Sequence, residues 1–222
     1  MNVIQKNSAA ALFLFAAMAL EPMAVLATTS LATNTPPAAA ATHTQTATDA
    51  GQQQLRQSET MMSEGREAMS DIVAAHQLLT KQHTTEAGQY LDKARVLLTR
   101  LKSEVAADKE NTTGLIPIYT QLGVKEGVEI TEQIKREVNK THLDAIRGKH
   151  KKVVEALKDM DVELQYSFVD LPVTATLEKV ESALKSLSEK NLHEASETLS
   201  GIGKNLVHDS IVVNADKHKP AS

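Results

Sequence analysis

The feature that most constrains the fold is a series of apolar residues at helical spacing that stops and restarts along the chain. From Leu55 to Leu79 the apolar, small and other core-type side chains recur at intervals of three and four residues after the first step. This is the period of one helix face. The chain breaks at residues 81–83, and a second stripe then runs from Ala87 to Val105. Because so short a connection leaves two helices side by side, the pattern predicts an antiparallel helical hairpin.

The same arrangement returns towards the carboxyl terminus. Seven positions of the first hairpin each lie 108 residues before a similar residue of a later one: Ile72, Ala75, Leu79, Glu86, Ala87, Leu91 and Leu98 precede Val180, Ala183, Leu187, Glu194, Ala195, Leu199 and Leu206. A weaker third copy breaks at Gly148 and Lys149. Three related hairpins, in the manner of tetratricopeptide-like repeats, would explain this spacing. Convergence would explain it too, because any amphipathic hairpin needs apolar residues at such intervals.

Two segments between the hairpins do not have a helical pattern. Residues 115–119 (LIPIY) contain Pro117, which lacks the backbone donor that a helix interior needs. Residues 162–169 (VELQYSFV) alternate apolar and polar side chains, as a strand does. They either pair as a small sheet or lie extended across the helices. The predicted fold class is therefore all-α, a bundle of antiparallel helical hairpins with two short extended segments.

The first 27 residues have the layout of a secretory signal peptide. A single cation, Lys6, precedes a twelve-residue apolar run from Ala9 to Leu20, and small residues follow up to Ala27. A transmembrane helix needs about 20 apolar residues, so this run is too short to span a bilayer. We expect export to the periplasm with cleavage after Ala27, or alternatively after Ala19, and no stable membrane insertion afterwards.

The remainder divides by composition into three parts. The Thr-, Ala- and Pro-rich residues 28–52 are expected to form a disordered tether, because they lack an apolar pattern that could offset the entropy of ordering. A single helical domain is predicted over 53–212 and a flexible tail over 213–222. The chain has no cysteine, which excludes disulfides, thiolate metal ligands and a thiol nucleophile.

Charge and aromatic content argue against nucleic acid as a partner. The formal net charge is −4, whereas nucleic-acid binding favours a basic surface. Aromatic residues are only 3% of the chain and there is no tryptophan, so platforms for base stacking are not expected.

Four blocks of sequence between about Gly65 and Ser210 resemble a known family. In order, they are EGREAMSDIVAAHQLLTKQHTTEAGQYLDKARVLL, the IPI of Ile116–Ile118, VVEALKDMDVEL with LPVTATLEKVESAL, and HEASETL through NLVHDS. Together they are similar to the YfdX proteins of enteric bacteria. The resemblance implies an exported helical protein, with a closing helix in the last block, whose genes lie beside acid-, heat- or drug-stress genes. It implies chaperone-like protection as an activity and supplies no catalytic residues.

No catalytic, cofactor or metal site is predicted, and we expect no enzyme activity. The eight histidines include no pair at i and i+4, there is no HExxH motif, and the serines lack a GxSxG context. His76 is the candidate pH switch, because it lies on the apolar stripe of the first helix. A buried imidazole that gains charge in acid loosens the packing around it.

Two further groups of residues are candidates for binding. Met61, Met62 and Met69 could form an adaptable client surface on the first helix, although methionine also fills gaps in cores. Pro117, Tyr119 and Tyr166 could line a pocket between the hairpins. The sequence thus predicts a homo-oligomeric periplasmic stress protein that binds unfolded or stress-damaged proteins. The alternative is a small-ligand-binding or sensory module.

Overall fold

The computed structural model describes residues 12–13, 42–124, 129–160 and 162–215. This part of the chain is mostly helical, and it also contains an antiparallel sheet, so the all-α prediction was incomplete. The helices are α1 (Thr42–Thr80), α2 (Thr84–Ala107), α3 (Glu132–Ile146), α4 (His150–Lys158), α5 (Val173–Ser188) and α6 (Leu192–Ser200). The strands are β1 (Leu12–Phe13), β2 (Leu115–Val124), β3 (Leu164–Pro172) and β4 (Val207–Val213).

The three pairs of consecutive helices, α1–α2, α3–α4 and α5–α6, are joined by the same kind of turn. Each turn has one residue with a left-handed backbone: φ is 62° at Gln82, 71° at Gly148 and 60° at Lys190. In each, the next amide donates to a carbonyl five residues earlier: His83 to Leu78 at 2.9 Å, Lys149 to Asp144 at 2.8 Å, and Asn191 to Ser186 at 2.8 Å. This is the Schellman ending of a helix. The shared turn supports the predicted relation between the three hairpins, and their common origin stays a prediction.

A first core lies where α1, α2, α5 and α6 pack together. Alanines at equivalent positions of two hairpins, Ala75 with Ala183 and Ala87 with Ala195, are completely buried there. Small side chains at these positions let helices approach closely. We define the first core by its buried residues larger than alanine: Ile72, Leu79, Leu91, Leu98, Leu101, Ile116, Ile118, Leu171, Val173, Leu177, Val180, Leu199 and Ile202.

The two extended segments pair with each other and form the centre of the sheet. β3 lies between β2 and β4, all antiparallel, and the two-residue β1 pairs with Gly123 and Val124 at the other edge of β2. A β-bulge interrupts β2, since Pro117 pairs with Asp170 and Tyr119 with Val169, which leaves Ile118 as the extra residue. The sequence left two alternatives open: the segments either pair as a small sheet or lie extended across the helices. In the structure they pair as a sheet.

The bulge decides which core each residue of β2 joins. Ile116 lies opposite Leu171 and faces the first core, whereas Leu122 lies opposite Tyr166 and faces the other side of the sheet. In a regular strand all even-numbered residues would share one face. The extra residue therefore places Ile116 and Leu122, which are both even-numbered, on opposite sides of the sheet.

The hairpin α3–α4 covers that other side and forms a second core. We define it by its buried residues: Leu122, Val124, Ile134, Val138, Ala145, Val153, Leu157, Met160, Leu164, Tyr166, Phe168 and Val213. Asn214 closes this core, because its side-chain amide donates to the carbonyls of Leu157, Met160 and Val162 at 3.0, 2.8 and 3.1 Å. The end of β4 is thereby attached to the end of α4.

One secondary-structure prediction was wrong. The last hairpin was expected to continue as helix to Leu206, but α6 ends at Ser200 and the chain re-emerges as β4 after a short 3₁₀ turn at Gly203–Asn205. Gly201 and Gly203 weaken the helix at this point, and the Ile-Val-Val run at 211–213 favours a strand.

The boundaries expected at the amino terminus fall partly outside the described residues. The proposed signal peptide, 1–27, is described only at Leu12–Phe13, and residues 14–41 and 216–222 are not described. Helix α1 begins at Thr42, within the segment expected to be a tether. No helix in the described part of the chain is both long enough and apolar enough to cross a membrane.

Candidate functional site

A buried cluster of polar and aromatic side chains lies between α4 and β3. The Nε2 atom of His150 is 3.0 and 2.9 Å from the two carboxylate oxygens of Asp170, and its Nδ1 atom is 2.8 Å from the Tyr166 hydroxyl. The Phe168 ring stacks on the imidazole with centroids 3.6 Å apart and planes 10° from parallel. We call His150, Tyr166, Phe168 and Asp170 the histidine cluster.

Local backbone structure explains why these four side chains meet. Tyr166, Phe168 and Asp170 alternate along β3, so all three point to the side of the sheet covered by α3–α4. His150 is the first residue of α4, immediately after the turn at Gly148. A Cβ atom at Gly148 would lie 3.5 Å from the Pro117 ring, so the turn packs against β2. The turn therefore holds the imidazole over β3.

The cluster is well shielded from solvent. The side chains of His150 and Asp170 are 14% and 5% exposed, and Tyr166 is fully buried. Burial raises the pKa of the Tyr166 hydroxyl far above its ordinary value, and the charge of Asp170 raises that pKa further. The hydroxyl therefore stays protonated and acts as a hydrogen-bond donor or acceptor. Both nitrogens of His150 therefore have a hydrogen-bond partner within the cluster.

The charged residues of the turn before α4 are paired with carboxylates of residues 108 and 110. Arg147 Nη2 lies 3.1 Å from Glu110 Oε2 and 3.8 Å from Asp108 Oδ2, and Lys149 also bonds Glu110. The hydrogen bond from Lys149 and the positive charges of Arg147 and Lys149 lower the pKa of Glu110. These pairs fix the turn before α4 from the outside.

A second notable feature is the outer edge of the sheet, which β4 forms. In the described residues β4 pairs only with β3, so the other side of its backbone is open. Most of its seven residues are exposed, including Val207 at 43% and Val212 at 51%. Its strand edge is a surface that another extended chain could join.

The residues singled out from sequence lie in several different places. His76 is half-buried on α1, at the margin of the first core, between the buried residues Ile72 and Leu79. Met61 and Met69 pack against the first core, and Met62 is also partly buried. These positions are those of gap-filling methionines at the edge of a core.

The three residues expected to line a pocket are not on one side of the sheet. Pro117 and Tyr166 are buried on the face towards α3–α4, and the Tyr166 hydroxyl is bonded to His150. Tyr119 is about half exposed on the opposite face, where it bonds Gln121. The bulge at Ile118 separates Tyr119 from Pro117, which a regular strand would have placed on one face. The structure therefore places Tyr166 in the histidine cluster and Pro117 opposite Asp170 of that cluster, whereas Tyr119 lies apart from both.

Two carboxylates beside the first core have a buried oxygen without a hydrogen-bond partner, Asp71 Oδ2 and Glu104 Oε2. Burial raises the pKa of Glu104, the neighbouring charge of Glu64 raises it further, and Arg100 opposes both. Arg100 is committed to Glu64, which it binds at 2.6 and 2.9 Å. In the residues described, no three His, Asp or Glu side chains are grouped so as to hold a metal ion.

Comparison with known proteins identifies the family. A family model described as YfdX protein matches residues 68–212, which is more than half of the 222 residues. The chain belongs to the YfdX family. A solved structure of YfdX from Salmonella Typhi is 26% identical and aligns with 68% of this chain and 91% of its own, with a TM-score of 0.45. A comparison with curated proteins gives no match. The matched residues include the first core, the second core except Val213, the histidine cluster and all of β4 except its last residue.

Proposed function

We propose that this YfdX protein is an exported, non-catalytic stress-protection protein that holds unfolded or damaged periplasmic proteins. The observation that carries the proposal is the open edge of β4. An extended apolar segment of a client would join the sheet there as an additional strand. The amino-terminal signal pattern supports export, because the run from Ala9 to Leu20 has the length of a signal core.

Strand addition suits the chemistry of this edge. The open backbone offers N–H and C=O groups to any extended chain, which gives affinity without a requirement for one sequence. Exposed Val207 and Val212 add apolar contacts, and β4 carries only His208 and Asp209 as titratable side chains. Damaged proteins expose apolar segments that can adopt this geometry.

The same edge also supports the expected homo-oligomer. An edge strand of one copy can pair with that of another, since edges are templates for any strand. Self-association through β4 would cover the client site. The amount of client bound should therefore increase with the fraction of chains whose β4 edge is unpaired. Dilution should therefore increase protection per chain.

The test is a charge placed on β4 with matched changes elsewhere. The double variant Val207→Lys/Val212→Lys should lose most of its ability to suppress aggregation of a heat-treated client, measured by light scattering. Lysine on an edge strand blocks further pairing. The control is Val73→Lys/Val96→Lys, which makes the same change at helix positions that are 50% and 63% exposed.

The outcome is decisive if both variants keep the helical circular dichroism of the parent. Protection retained in the β4 variant would refute strand addition at this edge. Equal loss in both variants would also refute it, because net charge would then explain the effect.

A groove at the end of the first hairpin favours the alternative, a small-ligand-binding or sensory module. Its volume is about 440 Å³, and it is lined by Ala74, Gln77, Leu78, Lys81, Glu86, Gln89 and Tyr90. This volume falls in the range of about 300–1,000 Å³ typical of ligand pockets. A saturable rise in melting temperature with one compound class, lost in Tyr90→Ala, would support a ligand site there. A thermal-shift screen without any stabilising compound would count against it.

A further inference from the structure

We propose that the histidine cluster is a two-stage acid latch. It keeps the hairpin α3–α4 on the sheet when His150 takes up a first proton, and it releases that hairpin only when the Asp170 carboxylate takes up a second. The latch is a property of the fold and does not require client binding.

The first proton leaves both imidazole nitrogens with a partner. In the neutral form, Nε2–H donates to Asp170 and Nδ1 accepts from the Tyr166 hydroxyl at 2.8 Å. In the charged form, Nδ1–H donates to the same hydroxyl oxygen, because a tyrosine hydroxyl both donates and accepts. The imidazolium also gains the attraction of the Asp170 carboxylate and of the Phe168 ring face, 3.6 Å away. The hairpin therefore stays in place.

The second proton removes the one counter-charge that the described residues place in contact with His150. In the described part of the chain the hydrogen bonds of His150 go only to Tyr166 and Asp170. A protonated Asp170 leaves an imidazolium inside a site where its own side chain is 14% exposed. A buried charge without a partner is strongly unfavourable. Movement of α4 away from β3 returns that charge to water.

The other charged groups near the cluster do not replace Asp170. On the turn before α4, Arg147 and Lys149 are paired with Glu110, and Arg147 also approaches Asp108. On β4, Asp209 lies opposite Phe168 in the strand register but is exposed to solvent. From β2 the nearest residue in the register is Pro117, opposite Asp170, which carries no charge. The imidazolium would thus lack a second anion within the packed site.

The two cores should respond to acid in opposite directions. The half-buried carboxylates beside the first core, Asp71 and Glu104, become easier to accommodate when protonated, since burial raises the pKa of each. The second core instead loses the bond that holds its covering hairpin. Acid would therefore expose the second core, including Leu157 and Phe168, while the four helices around the first core remain packed.

The experiment is a pH titration of the full chain after signal removal, followed by a dye that binds exposed apolar surface and by hydrogen-exchange mass spectrometry. On acidification the parent should show dye binding and loss of protection in residues 132–172, with α2 still protected. Asp170→Asn keeps a hydrogen-bonding side chain but removes the counter-charge. The first proton should then suffice, and the midpoint should rise by about one pH unit or more.

A second variant and a control keep the result interpretable. Tyr166→Phe deprives the charged imidazole of its Nδ1 acceptor, so its midpoint should also rise, by less than that of Asp170→Asn. Glu197→Gln removes the carboxylate 3.5 Å from His193 in an exposed pair and should leave the midpoint unchanged. An unchanged midpoint in both cluster variants, or full protection of α3 and α4 throughout the titration, would overturn the latch.

Discussion

Replacing Gly65 by alanine tests the closest approach between a helix and the sheet. A Cβ atom at this position would lie 2.8 Å from Ile118 Cγ2, 2.9 Å from Ile116 Cδ1 and 3.5 Å from Leu171 Cδ2. The first two distances are shorter than carbon atoms tolerate, and both isoleucines are buried. The two isoleucine side chains, or helix α1 and β2 themselves, would therefore have to move.

Two opposing effects set the size of the change. Alanine favours a helix over glycine by about 1 kcal/mol, which would stabilise the variant. Forcing a methyl group into a packed core costs about 1–3 kcal/mol. The expected net result is a loss of about 0–2 kcal/mol, which depends on how far the isoleucines can shift.

Gly88 supplies the matched control because it also lies in a helix, α2, and a Cβ atom there would meet nothing within 4 Å. Gly88→Ala should therefore stabilise the protein by about 0.5–1 kcal/mol. The helix preference is common to both variants, so the difference between them isolates the steric cost, about 1–3 kcal/mol. Urea unfolding followed by circular dichroism measures both free energies of unfolding. Equal stabilisation by the two substitutions would refute the close packing of α1 on β2.

Three further substitutions test other parts of the structure. Asp170→Ala leaves the buried Nε2–H of His150 without its acceptor and should lower the free energy of unfolding at neutral pH by about 1–3 kcal/mol in urea. The exposed equivalent Glu197→Ala should change it by about 1 kcal/mol or less. Asn214→Ala removes three hydrogen bonds at the end of α4 and should cost about 1–3 kcal/mol, with faster hydrogen exchange in that helix. Glu104→Gln should raise the melting temperature at neutral pH, because burial raises the pKa of Glu104. The protonated carboxyl fits the fold, so the stability of the parent is complete below the ordinary glutamate pKa and is lost as pH rises through the raised one. The advantage of the variant should therefore disappear in acid.

The helices were predictable because their signal is local. The spacing of apolar residues identified α1, α2 and α5, and the breaks near Gln82, Gly148 and Lys190 are the left-handed turns of the structure. Strand β4 was missed for the opposite reason. The 108-residue spacing continues to Leu206 and so favoured a helix there. In the structure this segment is a strand because it pairs with β3, and the paired residues Ser167 and Ser210 are 43 positions apart in the sequence.

The histidine cluster could not be derived from the sequence because its members are far apart in it. His150 is 16 residues from Tyr166 and 20 from Asp170. Their meeting depends on the position of α4 over the sheet, which tertiary packing sets. A weak signal was nevertheless present in the alternation Tyr-x-Phe-x-Asp, because an acidic residue at the end of an otherwise apolar strand face needs a buried partner.

The bulge in β2 also determines how this segment can vary in length among related chains. Ile118 is the extra residue, so its deletion would leave every other side chain of β2 on its present face and would only empty the space above Gly65. Deletion of Thr120 would instead turn Leu122 and Val124 out of the second core, because side chains alternate between the two faces of a strand. Alignments of this strand should therefore accept a one-residue gap at position 118 or 119 and reject one between 120 and 124.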